Sequence, residues 1–208
     1  MASNGNNLLP RLVALVGAAL ACGAWADGAV TQVVAHPAPL VDAARARDSA
    51  TVQKLLRESP RGAARQIAVD GTTALHWAVY NDDAGLVERL VAAGADVNAR
   101  NDYGATPLSQ AAVVGNARVI KRLLSAGADV EAANADGQTA LMVLARSSNV
   151  DAAKLLLKRG AKVDARDAHG RTPFHVAAYE RGHDAMKALV AAGANPNALE
   201  NDRYDAVT

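Results

Sequence analysis

The chain has 208 residues, of which 49 are Ala, and its 22 Lys and Arg almost balance its 21 Asp and Glu. Half of the residues are hydrophobic but only 3% are aromatic, which argues against an all-β sandwich or barrel, and the low charge argues against intrinsic disorder. A nucleic-acid-binding protein is also disfavoured, because there is no basic excess. The class that remains is a helical protein packed through small side chains, since Ala strongly favours helices.

Residues 1–26 have the pattern of a secretory signal peptide. Arg11 is followed by 15 residues without a charge, ending in Ala24-Trp25-Ala26 before Asp27. That stretch is shorter than the roughly 20 residues of a membrane-spanning helix. A positive start, a short apolar core and a small-x-small cleavage site are typical of export signals. We therefore expect cleavage near Ala26/Asp27 and a periplasmic or secreted mature protein.

Two alternatives stay open for this segment. Instead of a cleaved signal peptide, the segment would be an uncleaved anchor in the first alternative. In the second it would be a lipoprotein signal that uses Cys22, although Ala19 stands where such signals usually have Leu. Cys22 is the single cysteine of the chain. Cleavage after Ala26 would therefore leave no thiol for a nucleophile, a metal site or a disulfide. Residues 27–37 follow as an extended lead-in.

From residue 68 onward, three sequence features recur every 33 residues. A Thr-led tetrapeptide begins at Thr73, Thr106, Thr139 and Thr172, a turn glycine stands at Gly71, Gly104, Gly137 and Gly170, and a Gly-Ala pair begins at Gly94, Gly127, Gly160 and Gly193. A 33-residue period with a Thr-Pro-Leu-His signature resembles the ankyrin repeat. The resemblance, together with the export signal, is to an exported bacterial ankyrin-repeat protein. It implies an all-α repeat solenoid of antiparallel helix pairs joined by β-turns.

The residues themselves predict the same helix pairs. Thr stands at an N-cap position, and Pro107 and Pro173 follow it where a missing N–H costs nothing. Apolar residues at helical spacing then predict two short helices, over about 73–81 and 84–93 in the first clear copy. Gly94 follows the second helix in the position that favours a left-handed residue. Because neither helix can bury its apolar face alone, the units must stack to form a core.

The repeats divide the chain into successive units. We assign a degenerate N-terminal unit at 38–67, repeats at about 68–100, 101–133, 134–166 and 167–199, and an incomplete fifth from 200. The N-terminal unit keeps the apolar pattern at an offset of 35 but has a more polar surface, as expected of a cap. Residues 201–208 are in register with 102–108, after which no helix follows to cover Leu189 and Val190. We therefore expect the natural chain to continue with at least one more helix pair.

The polar residues do not indicate catalysis. The resemblance implies that His76 and His175, in the fourth position of the tetrapeptide, hydrogen-bond the turn between adjacent units. Ser109 and Met142 take that position in the other repeats, and His169 and His183 are isolated, so no metal array is indicated. There is no Gly-rich phosphate loop, and neither a buried acid nor an oxyanion hole is indicated beside Ser109. We expect no enzyme activity, no cofactor and no small-molecule substrate.

Recognition by a surface is the remaining function. In ankyrin-repeat proteins, which the chain resembles, the turn tips and the outer positions of the first helices line one concave face. Tyr and Arg are favoured as interface anchors. In this chain the positions are Tyr80, Asn81, Arg100, Asp102, Tyr103, Val113, Val114, Asp136, Gln138, Arg146, His169, Arg171, Tyr179 and Glu180.

Two functions follow from this interpretation. The first is an exported scaffold that binds a protein of unknown identity and does not bind nucleic acid. The alternative is a membrane-tethered accessory or chaperone-like subunit, for which the N-terminus must be retained or lipidated.

Overall fold

A computed structural model describes residues 38–199, and the chain forms eleven α-helices and no β-strand within that range. The helices are α1 Pro39–Arg45, α2 Ser49–Glu58, α3 Pro60–Ala64, α4 Ala74–Tyr80, α5 Ala84–Ala92, α6 Pro107–Val114, α7 Ala117–Ser125, α8 Ala140–Arg146, α9 Val150–Lys158, α10 Pro173–Tyr179 and α11 His183–Ala191. The predicted signal peptide, the lead-in and the incomplete fifth repeat lie outside the described residues. None of the eleven helices has the length and apolar character that crossing a membrane requires.

The helices are arranged as stacked pairs. Each first helix packs on the second helix of its own unit, as α4 does on α5 and α10 on α11. The first helices α1, α4, α6, α8 and α10 also contact one another in series, and so do the second helices α5, α7, α9 and α11. This arrangement confirms the all-α repeat solenoid. The helices predicted over 73–81 and 84–93 are found at Ala74–Tyr80 and Ala84–Ala92.

The recurring Thr begins each first helix by capping it. The side chains of Thr73, Thr106, Thr139 and Thr172 each accept a hydrogen bond from the backbone N–H three residues later. In three repeats the third residue of the helix, His or Ser, also accepts from the backbone N–H of the Thr, which completes a capping box. Met142 has no strong hydrogen-bond acceptor in its side chain. The third repeat therefore has only the bond from the Met142 N–H to the Thr139 hydroxyl oxygen.

Small buried residues allow the first helices to lie close together. Ala78, Ala111 and Ala177 occupy the same position in three repeats and are fully buried. Leu75 and its equivalents in the other repeats, including Phe174, are also buried. The alanine excess of the composition therefore serves the stacking of thin helices more than the filling of a broad core.

The N-terminal unit contains one helix that the apolar pattern does not predict. Leu40 and Val52 are buried, as the offset of 35 indicates. The additional helix is α3, which begins at Pro60, a residue that the first turn of a helix tolerates. Its Ala63 and Ala64 are buried against the unit. Five residues with two small apolar side chains are too short for a periodic signal, which explains why the pattern misses this helix.

The expectation that Leu189 faces water is wrong. Leu189 is 1% exposed and belongs to the core, whereas its neighbour Val190 is 46% exposed. Leu189 stands at the repeat position of Leu90, Leu123 and Leu156, and each of these is fully buried. The residue is buried in every repeat, so its burial does not depend on the position of the repeat in the stack.

Successive turn tips are held together through their backbones. The N–H of Asp102 donates to the carbonyl of Asp70 at 2.9 Å, and the N–H of Ala168 donates to that of Asp136 at 3.0 Å. The backbones approach closely beside Gly104, where a Cβ would lie 2.9 Å from the backbone N of Ala135. At this position the stacking of turns requires a residue without a side chain.

Replacing Gly104 by Ala should therefore destabilise the protein by about 2–4 kcal/mol, because the left-handed backbone and the clash with Ala135 both contribute. Gly127→Ala is the matched control, since Gly127 also has a positive φ of 89° but a Cβ added there would meet no atom within 4 Å. It should cost about 1 kcal/mol. Urea denaturation followed by circular dichroism measures both. Equal losses would show that the turns do not constrain Gly104.

Candidate functional site

Exposed large apolar side chains are concentrated on one surface of the described chain. We call this surface the turn-helix face. It is formed by the exposed sides of the first helices α4, α6, α8 and α10 and by the turns that precede them. Among residues 38–199, nine large apolar side chains are exposed. The seven on the turn-helix face are Ile67, Val69, Tyr80, Tyr103, Val113, Val114 and Tyr179. Such a concentration of apolar groups is typical of an interaction surface.

The three tyrosines predicted for this face are all exposed. Tyr80, Tyr103 and Tyr179 are 59%, 72% and 54% exposed. Tyr80 and Tyr179 are the last residues of α4 and α10. The ring of Tyr80 meets that of Trp77 edge to face, with centroids 5.6 Å apart and planes at 84°. This contact favours one orientation of the two rings relative to each other.

A cleft of about 370 Å³ opens on the turn-helix face between the first two repeats. Helix α4 contributes His76, Trp77 and Tyr80 to the cleft. The other lining residues come from the two adjacent turn tips and from α6; they are Asp70, Thr72, Asn101, Tyr103 and Gln110. The cleft thus combines aromatic walls with one carboxylate.

His76 links the cleft to the fold. Its Nδ1 lies 3.2 Å from the backbone N of Thr73, and its Nε2 lies 3.1 Å from the carbonyl oxygen of Ala105 in the next turn. Since a backbone N–H can only donate, Nδ1 must accept, and the proton is therefore on Nε2, which donates to Ala105. The hydrogen bond predicted between His76 and the adjacent unit is confirmed.

Burial lowers the pKa of the His76 imidazole below its ordinary value of 6.5, and this outweighs the opposing effects of the Ala105 carbonyl and of the carboxylates of Asp70 and Asp96. Both ring nitrogens are already committed in the neutral form. His76 is therefore uncharged at pH 7 and adds no positive charge to the cleft.

Other predicted site residues are held by hydrogen bonds within the chain. Asn81 donates from Nδ2 to the Ala44 carbonyl at 2.9 Å, and Arg100 donates to the Ala133 carbonyl at 2.6 Å. Arg146 donates to Gln138 at 3.2 Å. These side chains join neighbouring units or fix each other, so part of the predicted set has a structural role in addition to any contact with a partner.

Arg171 is paired with a buried carboxylate. Its guanidinium lies 2.8 Å from Asp167, whose side chain is fully buried. Burial acts to raise the pKa of Asp167, but hydrogen bonds from the Arg171 side chain and from the backbone N–H groups of Arg171 and His169 hold it below its usual value of 3.8.

The remaining predicted site residues are exposed. They are Asp102, Val113, Val114, Asp136, His169, Tyr179 and Glu180.

The predicted set omits Trp77 and Asp70, which line the cleft. Trp77 follows His76 of the tetrapeptide and is half-buried, so the repeat pattern does not assign it to the surface. A signal is present in the sequence, because the same position holds Gln110 in the next repeat and Val143 in the third, neither of which is aromatic. A large aromatic residue that the repeat does not require is a candidate for function.

The described residues contain no group of three or more His, Cys, Asp or Glu that could hold a metal ion. His175 repeats the contact of His76 with its own Thr172, at 3.2 Å from the backbone N. Its Nε2 has no hydrogen-bond partner among the described residues. The turn that would follow it, from residue 200 onward, lies outside the described residues, so the link predicted for His175 stays a prediction.

Stability should depend on pH through His76. The pKa of His76 in the folded chain lies below the ordinary value of 6.5. Between these two pKa values the unfolded chain binds more protons than the folded chain does. The free energy of unfolding therefore falls as the pH drops through that window. His76→Ser, which copies the Ser109 of the next repeat, should cost about 1–2 kcal/mol at about pH 7.5. The cost should be smaller at about pH 5.5, where wild type must keep a buried His neutral. Urea denaturation at the two pH values tests this, and an equal cost at both would contradict it.

Comparison with known proteins agrees with the repeat pattern. A family model described as ankyrin repeats (3 copies) matches residues 40–134 and 112–200. The chain is also similar to Zygote-specific protein 3 of Chlamydomonas reinhardtii, at 42% identity over 76 residues. That match covers 36% of this chain and 20% of the relative. Since the family model covers well over half of the sequence, the chain belongs to the ankyrin-repeat family.

Proposed function

We propose that the protein is an exported scaffold that binds another protein through its turn-helix face. Ankyrin repeats are typically non-enzymatic and mediate protein-protein interactions. We choose this face because seven of the nine exposed large apolar side chains among residues 38–199 lie on it. An apolar surface of this kind is stabilised when a partner removes it from water.

The geometry of the face supports tight recognition. Tyrosine offers a large contact area and a hydroxyl while losing little conformational entropy on binding. The Tyr80 ring already rests against Trp77, and the Arg171 guanidinium is fixed by Asp167. Side chains that are ordered before binding lose less freedom in the complex, so more of the contact energy remains as affinity.

Export is supported by the sequence of residues 1–26, with its short apolar stretch and its Ala24-Trp25-Ala26 site. In this proposal the scaffold acts in the periplasm or outside the cell. A membrane-tethered accessory subunit is the competing proposal, and it differs in the fate of the N-terminus.

Replacing Tyr80, Tyr103 and Tyr179 together by Ala should reduce partner capture at least about tenfold, because aromatic anchors dominate interface energies. The melting temperature should change little, since all three side chains are more than half exposed. Affinity capture from the exported fraction, quantified by mass spectrometry, and thermal denaturation measure the two effects.

The matched control for the tyrosine variant replaces three exposed lysines of the second helices, Lys121, Lys154 and Lys187, by Ala. These lysines stand at one repeat position, so the control makes the same number of changes on another surface. It should leave capture unchanged. Equal capture by the tyrosine variant and wild type would exclude the turn-helix face, and a large fall in melting temperature would show that the tyrosines support the core.

The mature N-terminus should be Asp27. Mass spectrometry of protein recovered from its producing cell measures it directly. An intact Met1 or a lipidated Cys22 would contradict cleavage after Ala26 and would favour the membrane-tethered subunit.

A further inference from the structure

We propose that the cleft between the first two turn tips receives an arginine or lysine side chain of the partner protein, seated against the rings of Trp77 and Tyr80 and paired with the carboxylate of Asp70. This inference rests on the proposed function and names the chemistry that the turn-helix face recognises.

The aromatic walls supply the first part of the argument. A T-shaped pair leaves the face of at least one ring free, and a cation is attracted to such a face by the negative charge of the ring's π system. Tyr103, on the second turn tip, is 72% exposed and lines the same cleft. Three aromatic side chains therefore line an open cleft of about 370 Å³, which has room for a planar guanidinium to stack on a ring.

The charge of the cleft supplies the second part. Asp70 is the carboxylate among the lining residues, and no Lys or Arg lines the cleft. One oxygen of Asp70 accepts from the N–H of Thr72 at 3.0 Å, which fixes the carboxylate in place. His76 beside it is neutral, as its two hydrogen bonds require. A cation entering the cleft therefore meets a carboxylate and no competing positive charge.

The surrounding repeat is acidic as well. Residues 68–100 contain five Asp and Glu but only two Arg. One of the five, Glu88, is paired with Arg118 of the next repeat. Arg100 keeps its charge but directs its guanidinium to the Ala133 carbonyl in the next turn, and Arg89 lines a cleft on the second helix. The acidic balance of the repeat thus favours the approach of a basic segment.

The later repeats do not reproduce this chemistry. At the repeat position of Tyr80 they have Val113, Arg146 and Tyr179. At the position of Trp77 they have Gln110, Val143 and Val176. Within residues 38–199, aromatic residues occupy both of these positions in the first repeat alone. Helix α10 also has two aromatic residues, but its Phe174 is buried. The cation is therefore placed at one end of the face.

The probe is a blocked tripeptide, acetyl-Ala-Arg-Ala-amide, titrated into the isotope-labelled full chain and followed by NMR. The neutral counterpart contains citrulline, which has the shape of arginine without its charge. The arginine peptide should shift the indole N–H signal of Trp77, which is identified by its loss in Trp77→Phe. The citrulline peptide should bind at least about threefold more weakly, because the cation–π attraction is removed. Equal shifts with both peptides, or none at about 50 mM arginine peptide, would overturn the proposal.

Asp70→Asn tests the carboxylate. Asn keeps an oxygen that can accept from Thr72, so the turn should survive, and binding of the arginine peptide should weaken about three- to tenfold. Asp129→Asn is the control, because Asp129 makes the same kind of bond, accepting from the N–H of Glu131 at 2.9 Å, and lies outside the cleft. Equal weakening in both variants would show a general effect of charge and contradict the proposed pairing.

The same two aspartate variants distinguish this inference from the proposed function. If the triple tyrosine variant loses its partner while Asp70→Asn captures it as well as Asp129→Asn does, the face binds a protein but not through a cation in the cleft. If the triple tyrosine variant keeps its partner, the proposed function itself fails, together with this inference.

Discussion

The fold depends on the contact between successive units. A pair of helices seven to nine residues long cannot bury its own apolar face, so each unit obtains part of its burial from its neighbours. Alanine at the fully buried positions 78, 111 and 177 allows the first helices to approach closely. Hydrogen bonds to backbone carbonyls complete the contact between units. The N–H of Asp102 donates to the carbonyl of Asp70, and the His76 ring donates to the carbonyl of Ala105. The same contacts align the turn tips and first helices on one surface.

This division leaves two classes of position within a repeat. The capping Thr, the turn glycine and the buried apolar residues recur because they form the helix caps, the turns and the core through which successive repeats stack. The positions of Trp77 and Tyr80 vary between aromatic, aliphatic and polar residues along the stack. The side chains at the position of Tyr80 are exposed in every repeat and are available for recognition. At the position of Trp77 exposure differs between repeats, since Trp77 is half-buried and Val176 is buried. The unusual residues of one repeat are therefore more informative about function than the residues that all repeats share.

The overall charge of +1 conceals an uneven distribution of charged residues. The aromatic cleft of the first repeat contains a carboxylate and no cation. A second cleft, between the N-terminal unit and α5, is lined by Arg57 and Arg89 and has no carboxylate. Two clefts near the same end of the stack thus present opposite charge. An overall balance of Lys and Arg against Asp and Glu excludes a protein-wide field, but it does not describe the local potential that a binding partner meets.

The sequence by itself determined the repeat, the pairing of helices and most of the buried positions. Period, N-caps and apolar spacing are local properties, and they predicted Ala74–Tyr80 and Ala84–Ala92 to within a residue or two. Only the tertiary structure decided which polar side chains are already bonded within the chain. Asn81 and Arg100 are residue types that interfaces often use, but they donate to the carbonyls of Ala44 and Ala133, which are 37 and 33 residues away and meet them only in the folded chain. The cleft likewise forms only in the folded chain. Stacking of two turns brings Tyr103 to the same cleft as Asp70 and Trp77, and no spacing within one repeat predicts this arrangement.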